Sequence, residues 1–114
     1  MADNIVYINT EEGVKRVMNN VKLYAKLLTK FKDDPSFNDL EAAMAEGDME
    51  KVKVSSHTLK GLAANLALTE LSKQSLELES QIKNGKLNPK QITFVKNVYH
   101  QTIAEIEKVI AQYA

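Results

Sequence analysis

A neutral imidazole is a good nucleophile near neutral pH, and one of the two histidines of this chain sits in a segment with a distinctive neighbourhood. The segment runs Ser55-Ser56-His57-Thr58-Leu59-Lys60-Gly61-Leu62-Ala63-Ala64-Asn65-Leu66. Successive residues of a helix turn by about 100°. Val52, Leu59, Ala63 and Leu66 then share an apolar face, and His57, about 200° from Leu59, points to solvent. Lys60 and Gly61 follow three and four positions on, so they are its neighbours on that exposed face. Gly61 is unexpected, because a glycine inside a helix costs about 1 kcal/mol relative to alanine. It either gives another surface clearance to reach the ring or lets two helices pack closely. Ala64, one turn further, keeps the same strip low. A cation beside a histidine, with small residues beyond it, suits the docking of something anionic. Phase alone does not make the histidine functional, since most lone surface histidines do nothing. His100 follows a core position, Tyr99, with no motif around it, and a His57–His100 metal pair lacks further ligands.

The elements that must position this strip are helices. The chain has 114 residues, 44% of them hydrophobic, and only four glycines and two prolines. That predicts one helical domain over residues 1–114, with little room for a deep substrate pocket. With no cysteine, a disulfide scaffold, a thiolate metal site and a Cys nucleophile are excluded. Fifteen basic residues balance fifteen acidic ones. Lys83, Lys86 and Lys90 cluster too sparsely around a turn to make a nucleic-acid surface. No apolar run reaches the roughly 18 residues that span a bilayer, and Met1 to Thr10 lacks the basic start and long apolar stretch expected of a signal peptide. A cytoplasmic monomer without nucleic-acid or membrane partners is expected.

Thr10 is the expected N-cap of a short helix ending near Met18, where Asn19-Asn20 breaks it. Val21, Tyr24, Leu27, Leu28 and Phe31 form one stripe of the next helix, which ends at Asp33-Asp34-Pro35. Ser36 is the expected cap of a third, with Phe37, Leu40, Ala43 and Met44 inward and Gly47 closing it. Asp48 caps the histidine helix, about Met49 to Leu66. A fifth helix from Thr69 presents Leu71, Ser75, Leu78 and Ile82, and stops at Asn84-Gly85. Asn88-Pro89 opens the last, with Ile92, Val95, Tyr99, Ile103, Ile106 and Ile110 inward. Tyr7, Tyr24, Tyr99 and Tyr113 read as packing residues. The fold class is all-α: an antiparallel four-helix bundle with one or two short N-terminal helices.

His57-Thr58-Leu59-Lys60-Gly61 resembles the H-x-L-K-G signature of histidine-containing phosphotransfer (HPt) domains. Gly47-Asp48, Ala63-Ala64-Asn65-Leu66, Leu71 and Leu78-Glu79 fall at that family's spacing. Tyr24, Leu27-Leu28 and Phe31 match its Y-x-x-L-L-x-x-F pattern, so the resemblance covers about Thr10 to Ile82. It implies a four-helix bundle whose exposed His57 takes a phosphoryl group from an aspartate-bearing receiver domain, or a sensor or hybrid histidine kinase. The group then passes to another response-regulator receiver. No nucleotide-binding glycine loop is present, so a carrier rather than a kinase is expected. The resemblance implies no cofactor of its own, the catalytic Mg²⁺ being the receiver's. Nε2 is expected to attack phosphorus, with Lys60 stabilising the phosphoryl oxygens. The resemblance places Glu79 where it would orient the ring; read by position alone, one residue after Leu78, it is equally a solvated glutamate. Gly61 and Ala64 are expected on the docking surface, with Lys53 and Ser56 beside them. The family usually carries glycine where this chain has Ala67, which predicts a shifted or longer exit from the histidine helix. The competing reading is a helical adaptor that binds a signalling partner without phosphotransfer.

Overall fold

Six helices follow one another in the computed structural model, which describes residues 5–113: α1 (Thr10–Arg16), α2 (Val21–Lys32), α3 (Ser36–Glu46), α4 (Met49–Asn65), α5 (Thr69–Lys83) and α6 (Pro89–Tyr113). Residues 1–4 of the Met1–Thr10 stretch lie outside the described residues. The helix starts follow side-chain capping, which satisfies amide donors that have no partner in the first turn. Asn20 accepts from the Leu23 amide at 2.9 Å and Asp48 from the Lys51 amide at 3.1 Å.

Two caps differ from expectation. Asn9, not Thr10, caps α1 by accepting from the Glu12 amide at 3.1 Å, so Thr10 is already the first helical residue. Ser36 is likewise inside α3, and its own amide donates to Asp34 Oδ1 at 2.8 Å. In both places a residue just upstream has the better acceptor geometry.

The walls of the bundle are helices packed against chain neighbours: α3 on α4, α4 on α5, α5 on α6, and α2 back on α6. One wall is made in two pieces, α2 and α3, divided at Asp33-Asp34-Pro35. Both reach α6 through the same ring: Phe37 stacks on Tyr99 at 3.8 Å, and Phe31 tilts against it at 6.2 Å. Lys32–Glu107 and Lys96–Glu41 ion pairs flank this aromatic hinge. The core contains Tyr24, Leu28, Leu40, Val52, Leu59, Leu71, Leu78, Val95 and Ile106. Val21, expected inward, is exposed at the first turn of α2. On α6, Val98 and Thr102 are buried alongside the expected Val95 and Ile106, and Thr102 is tolerated because its hydroxyl donates to the Val98 carbonyl at 2.7 Å. Among the described residues no helix is long and apolar enough to cross a membrane.

The exit of α4 corrects the expectation drawn from Ala67. The helix is not prolonged: it ends at Asn65, and Ala67 adopts the left-handed conformation, φ +59°. The Leu68 amide donates to the Ala63 carbonyl at 2.8 Å and the Ala67 amide to Ala64 at 3.2 Å, the paired bonds of a glycine-type helix stop. The fold imposes this on alanine because burial of Leu68 and Leu71 requires the chain to turn there. Three groups from the N-terminal part clamp the same exit. Tyr24 Oη donates to the Leu66 carbonyl at 2.6 Å, the Asn9 amide to Ala67 at 2.8 Å, and Arg16 to the Ala64 carbonyl. Close approach of α1 to α2 depends on Gly13, where a Cβ would fall 2.4 Å from the Tyr24 ring.

Candidate functional site around His57

Helical phase puts Lys53, His57, Lys60, Gly61 and Ala64 on one strip of α4. The structure bears out the orientation. The His57 side chain is 63% exposed, Ala64 is exposed, and Lys53, Lys60 and Gly61 are half-buried. A Cβ built on Gly61 meets nothing within 4 Å, so this glycine is not required for helix packing within the chain. It leaves an open approach to the imidazole. Lys53 is paired with Glu50 at 3.3 Å.

Ser56 does not belong to this surface. It is fully buried, with its hydroxyl donating to the Val52 carbonyl at 2.7 Å. Its position, four residues after Val52 and three before Leu59, puts it in the core-facing stripe, and adjacency to His57 in sequence means about 100° of rotation away from it.

The adjacent helix supplies what α4 lacks. Glu79 on α5 is 5% exposed, and its Oε2 lies 3.0 Å from His57 Nδ1. An ionised carboxylate only accepts hydrogen bonds, so the proton is on Nδ1 and donates to Glu79. Nε2 is then the unprotonated nitrogen of a largely exposed ring. Lys60 Nζ is 3.4 Å from Glu79 Oε1, and Lys83 Nζ is 3.6 Å from Oε2. Burial pushes the Glu79 carboxyl towards its neutral form. The His57 hydrogen bond and the charges of Lys60 and Lys83 outweigh that together, and hold it below the usual carboxylate range.

Glu79 therefore lies at the α4–α5 seam rather than in solvent. Its spacing of four residues from buried Ser75 carried that signal. Lys83 belongs to this constellation rather than to the turn lysines, standing one turn after Glu79. Arg16 is not legible by helical phase, because it reaches the end of the strip from a distant part of the chain.

The remaining histidine is elsewhere. His100 is exposed and lies edge-on to Phe37 and Tyr99. Among the described residues no group of three or more His, Asp or Glu side chains is placed to hold a metal ion.

The arrangement can do a specific kind of chemistry. An exposed ring presents a nucleophilic nitrogen with its tautomer held from behind. A cation stands beside it, and no side chain blocks the approach one turn on. No curated protein and no solved structure matches the chain. A family model does: that of the Hpt domain matches residues 26–112, from within α2 to near the end of α6 and including the whole His57–Glu79 constellation, and the chain belongs to the Hpt domain family.

Proposed function

We propose that the protein carries a phosphoryl group on His57 Nε2, taken from the phosphoaspartate of one receiver domain, or from a histidine kinase, and handed to the aspartate of another. Membership of the Hpt family ties the chain to histidine phosphotransfer. The observation that carries the residue-level reading is the 3.0 Å contact between His57 Nδ1 and the buried Glu79 carboxylate.

The steps follow from that contact. Nε2 attacks phosphorus as the bond to the aspartyl oxygen breaks, and the electron pair leaves with the aspartate carboxylate. The proton on Nδ1 stays, and the ring gains positive charge as the nitrogen–phosphorus bond forms. Glu79 faces that charge and stabilises it. Lys60 supplies donors to the phosphoryl oxygens. In-line transfer needs donor and acceptor aligned, and the flat surface at Gly61 and Ala64 lets a receiver pack close enough for that. Lys53 lies at the edge of the same contact. The reverse sequence delivers the group to the next aspartate, with the Mg²⁺ for both transfers held by the receiver. The reading places the protein in the cytoplasm, where its partners work, and needs only a monomer.

The test is incubation with a phosphorylated receiver domain, followed by counting acid-labile label. Wild type gains label and His57→Gln does not. Lys60→Ala keeps its helical circular dichroism but gains label about tenfold more slowly, a loss of roughly 1.4 kcal/mol of transition-state stabilisation. Equal labelling of His57→Gln, or none of wild type by any receiver, contradicts the proposal.

A further inference from the structure

Glu79 is held by two lysines, and the two are not equivalent. Helices α4 and α5 run antiparallel, with Lys60 opposite Ser72 (its carbonyl accepts from Ser72 Oγ at 3.3 Å) and His57 opposite Glu79. Lys60 and Lys83 therefore approach the carboxylate from opposite ends of the pair. Lys60 stands on the histidine's own helix, 3.4 Å from the ring, and sits on Glu79 Oε1. Lys83 is more exposed, with 60% of its side chain in solvent, and sits on Oε2, the oxygen that also receives His57 Nδ1. No correctly oriented hydrogen bond reaches Oε1.

A conflict follows for Lys60. The phosphoryl group arrives on Nε2, across the ring from Glu79, and brings two negative charges. Lys60 is needed there, and moving to the phosphoryl oxygens takes it off a buried carboxylate. Only the ionised Glu79 is bound to accept, and so fixes the ring proton on Nδ1. If it takes up a proton it gains a donor; its O–H can then bond Nδ1, which moves the ring proton to Nε2 and removes the nucleophile.

We propose that Lys83 is the positioning residue that keeps Glu79 ionised, and so the ring proton on Nδ1, while Lys60 is engaged with the phosphoryl group. The two lysines divide the work: one follows the group being transferred and the other stays with the carboxylate. This rests on the carrier reading above. During transfer Nε2 bonds to phosphorus and the phosphorus–oxygen bond to aspartate breaks, with its electron pair going to the carboxylate. No proton moves: Lys83 keeps Glu79 ionised, and the ring proton on Nδ1, up to the point where Nε2 bonds to phosphorus.

The experiment has two arms. In the first, Lys83→Gln, Lys83→Arg and wild type are mixed with a phosphorylated receiver. Lys83→Gln is labelled about fivefold more slowly, the scale of one lost ion pair to a partly shielded carboxylate. Receiver affinity is unchanged, and Lys83→Arg restores the rate. In the second, ¹⁵N chemical shifts of the unphosphorylated His57 ring are read at neutral pH. Lys60→Gln, which mimics departure of that lysine, keeps its proton on Nδ1; the Lys60→Gln/Lys83→Gln double variant shifts it to Nε2. A wild-type rate for Lys83→Gln, a Lys83→Arg variant no better than Lys83→Gln, or a double variant that keeps the Nδ1 proton overturns the proposal. If no receiver labels the wild type, the carrier reading falls, and the ring shifts alone then decide whether Lys83 positions the ring.

Discussion

A carboxylate removed from water loses several kcal/mol of hydration unless charges and hydrogen bonds replace it. At Glu79 three groups do so: His57 Nδ1, Lys60 and Lys83. The lowered folded-state pKa has a definite sign in stability. An unfolded glutamate titrates near the ordinary value of 4.5, so Glu79 stabilises the fold fully above that pH. The contribution fades as pH falls below 4.5 and is gone beneath the folded-state value. Denaturant titrations of wild type and Glu79→Gln from pH 7 downwards should show a constant difference near neutrality that narrows only below the ordinary carboxylate range. A difference independent of pH would mean that Glu79 is not ionised in the fold. The role of His57 as an outward-facing residue was legible from helical phase. That of Glu79 was not, because phase on one helix does not give the register between two.

Among the elements, α4 does most of the positioning, and two residues, one inside it and one just past its end, run against their backbone preference. Gly61 lies where a methyl group meets nothing in the free protein, so Gly61→Ala should stabilise the domain by about 1 kcal/mol, seen as a higher melting temperature. Gly61→Glu should fold equally well and lose receiver binding through bulk and charge. Unchanged affinity would remove Gly61 from the interface. Ala67 holds a left-handed backbone at the exit, a conformation that costs an L-residue about 1–2 kcal/mol. Ala67→Gly should therefore raise the unfolding free energy by up to about 1 kcal/mol, the relief being partly offset by a freer unfolded chain. A destabilised variant would show that packing of the Ala67 methyl outweighs the backbone strain. Helix boundaries were readable from Asn20, Asp48, Asn84-Gly85 and Asn88-Pro89 because capping is local. The Ala67 turn was not, because it is imposed by burial of Leu68 and Leu71 and by bonds from distant residues.

At the scale of the whole molecule, the first helix, Thr10–Arg16, lies outside the residues matched by the family model, 26–112, yet it works on the histidine helix. Arg16 of this helix adds a second donor to the Ala64 carbonyl, and its cap Asn9, with Tyr24 of α2, supplies donors to the Ala67 and Leu66 carbonyls at the α4 exit. Tyr24 is buried, and burial first, then Tyr113, pushes its hydroxyl up to about 12, with Arg16 opposing. An unfolded tyrosine ionises near 10, so this group's stabilisation is intact below pH 10 and lost as pH rises towards 12. Tyr24→Phe should lower stability at neutral pH by about 1–2 kcal/mol, through the unsatisfied Leu66 carbonyl. It should also flatten the loss of stability between pH 10 and 12. An alkaline profile identical to wild type would place the titrating group elsewhere.

The Glu79 contact takes the Nδ1 side of the ring, and the proposed transfer uses Nε2 as the nucleophile. Phosphorylate the protein from a receiver, and record ³¹P–¹⁵N couplings in the ring of ¹⁵N-histidine-labelled protein. The account predicts a single phosphohistidine, at His57, bonded through Nε2, with Nδ1 still protonated. A phosphoryl group on Nδ1, or on His100, would contradict it.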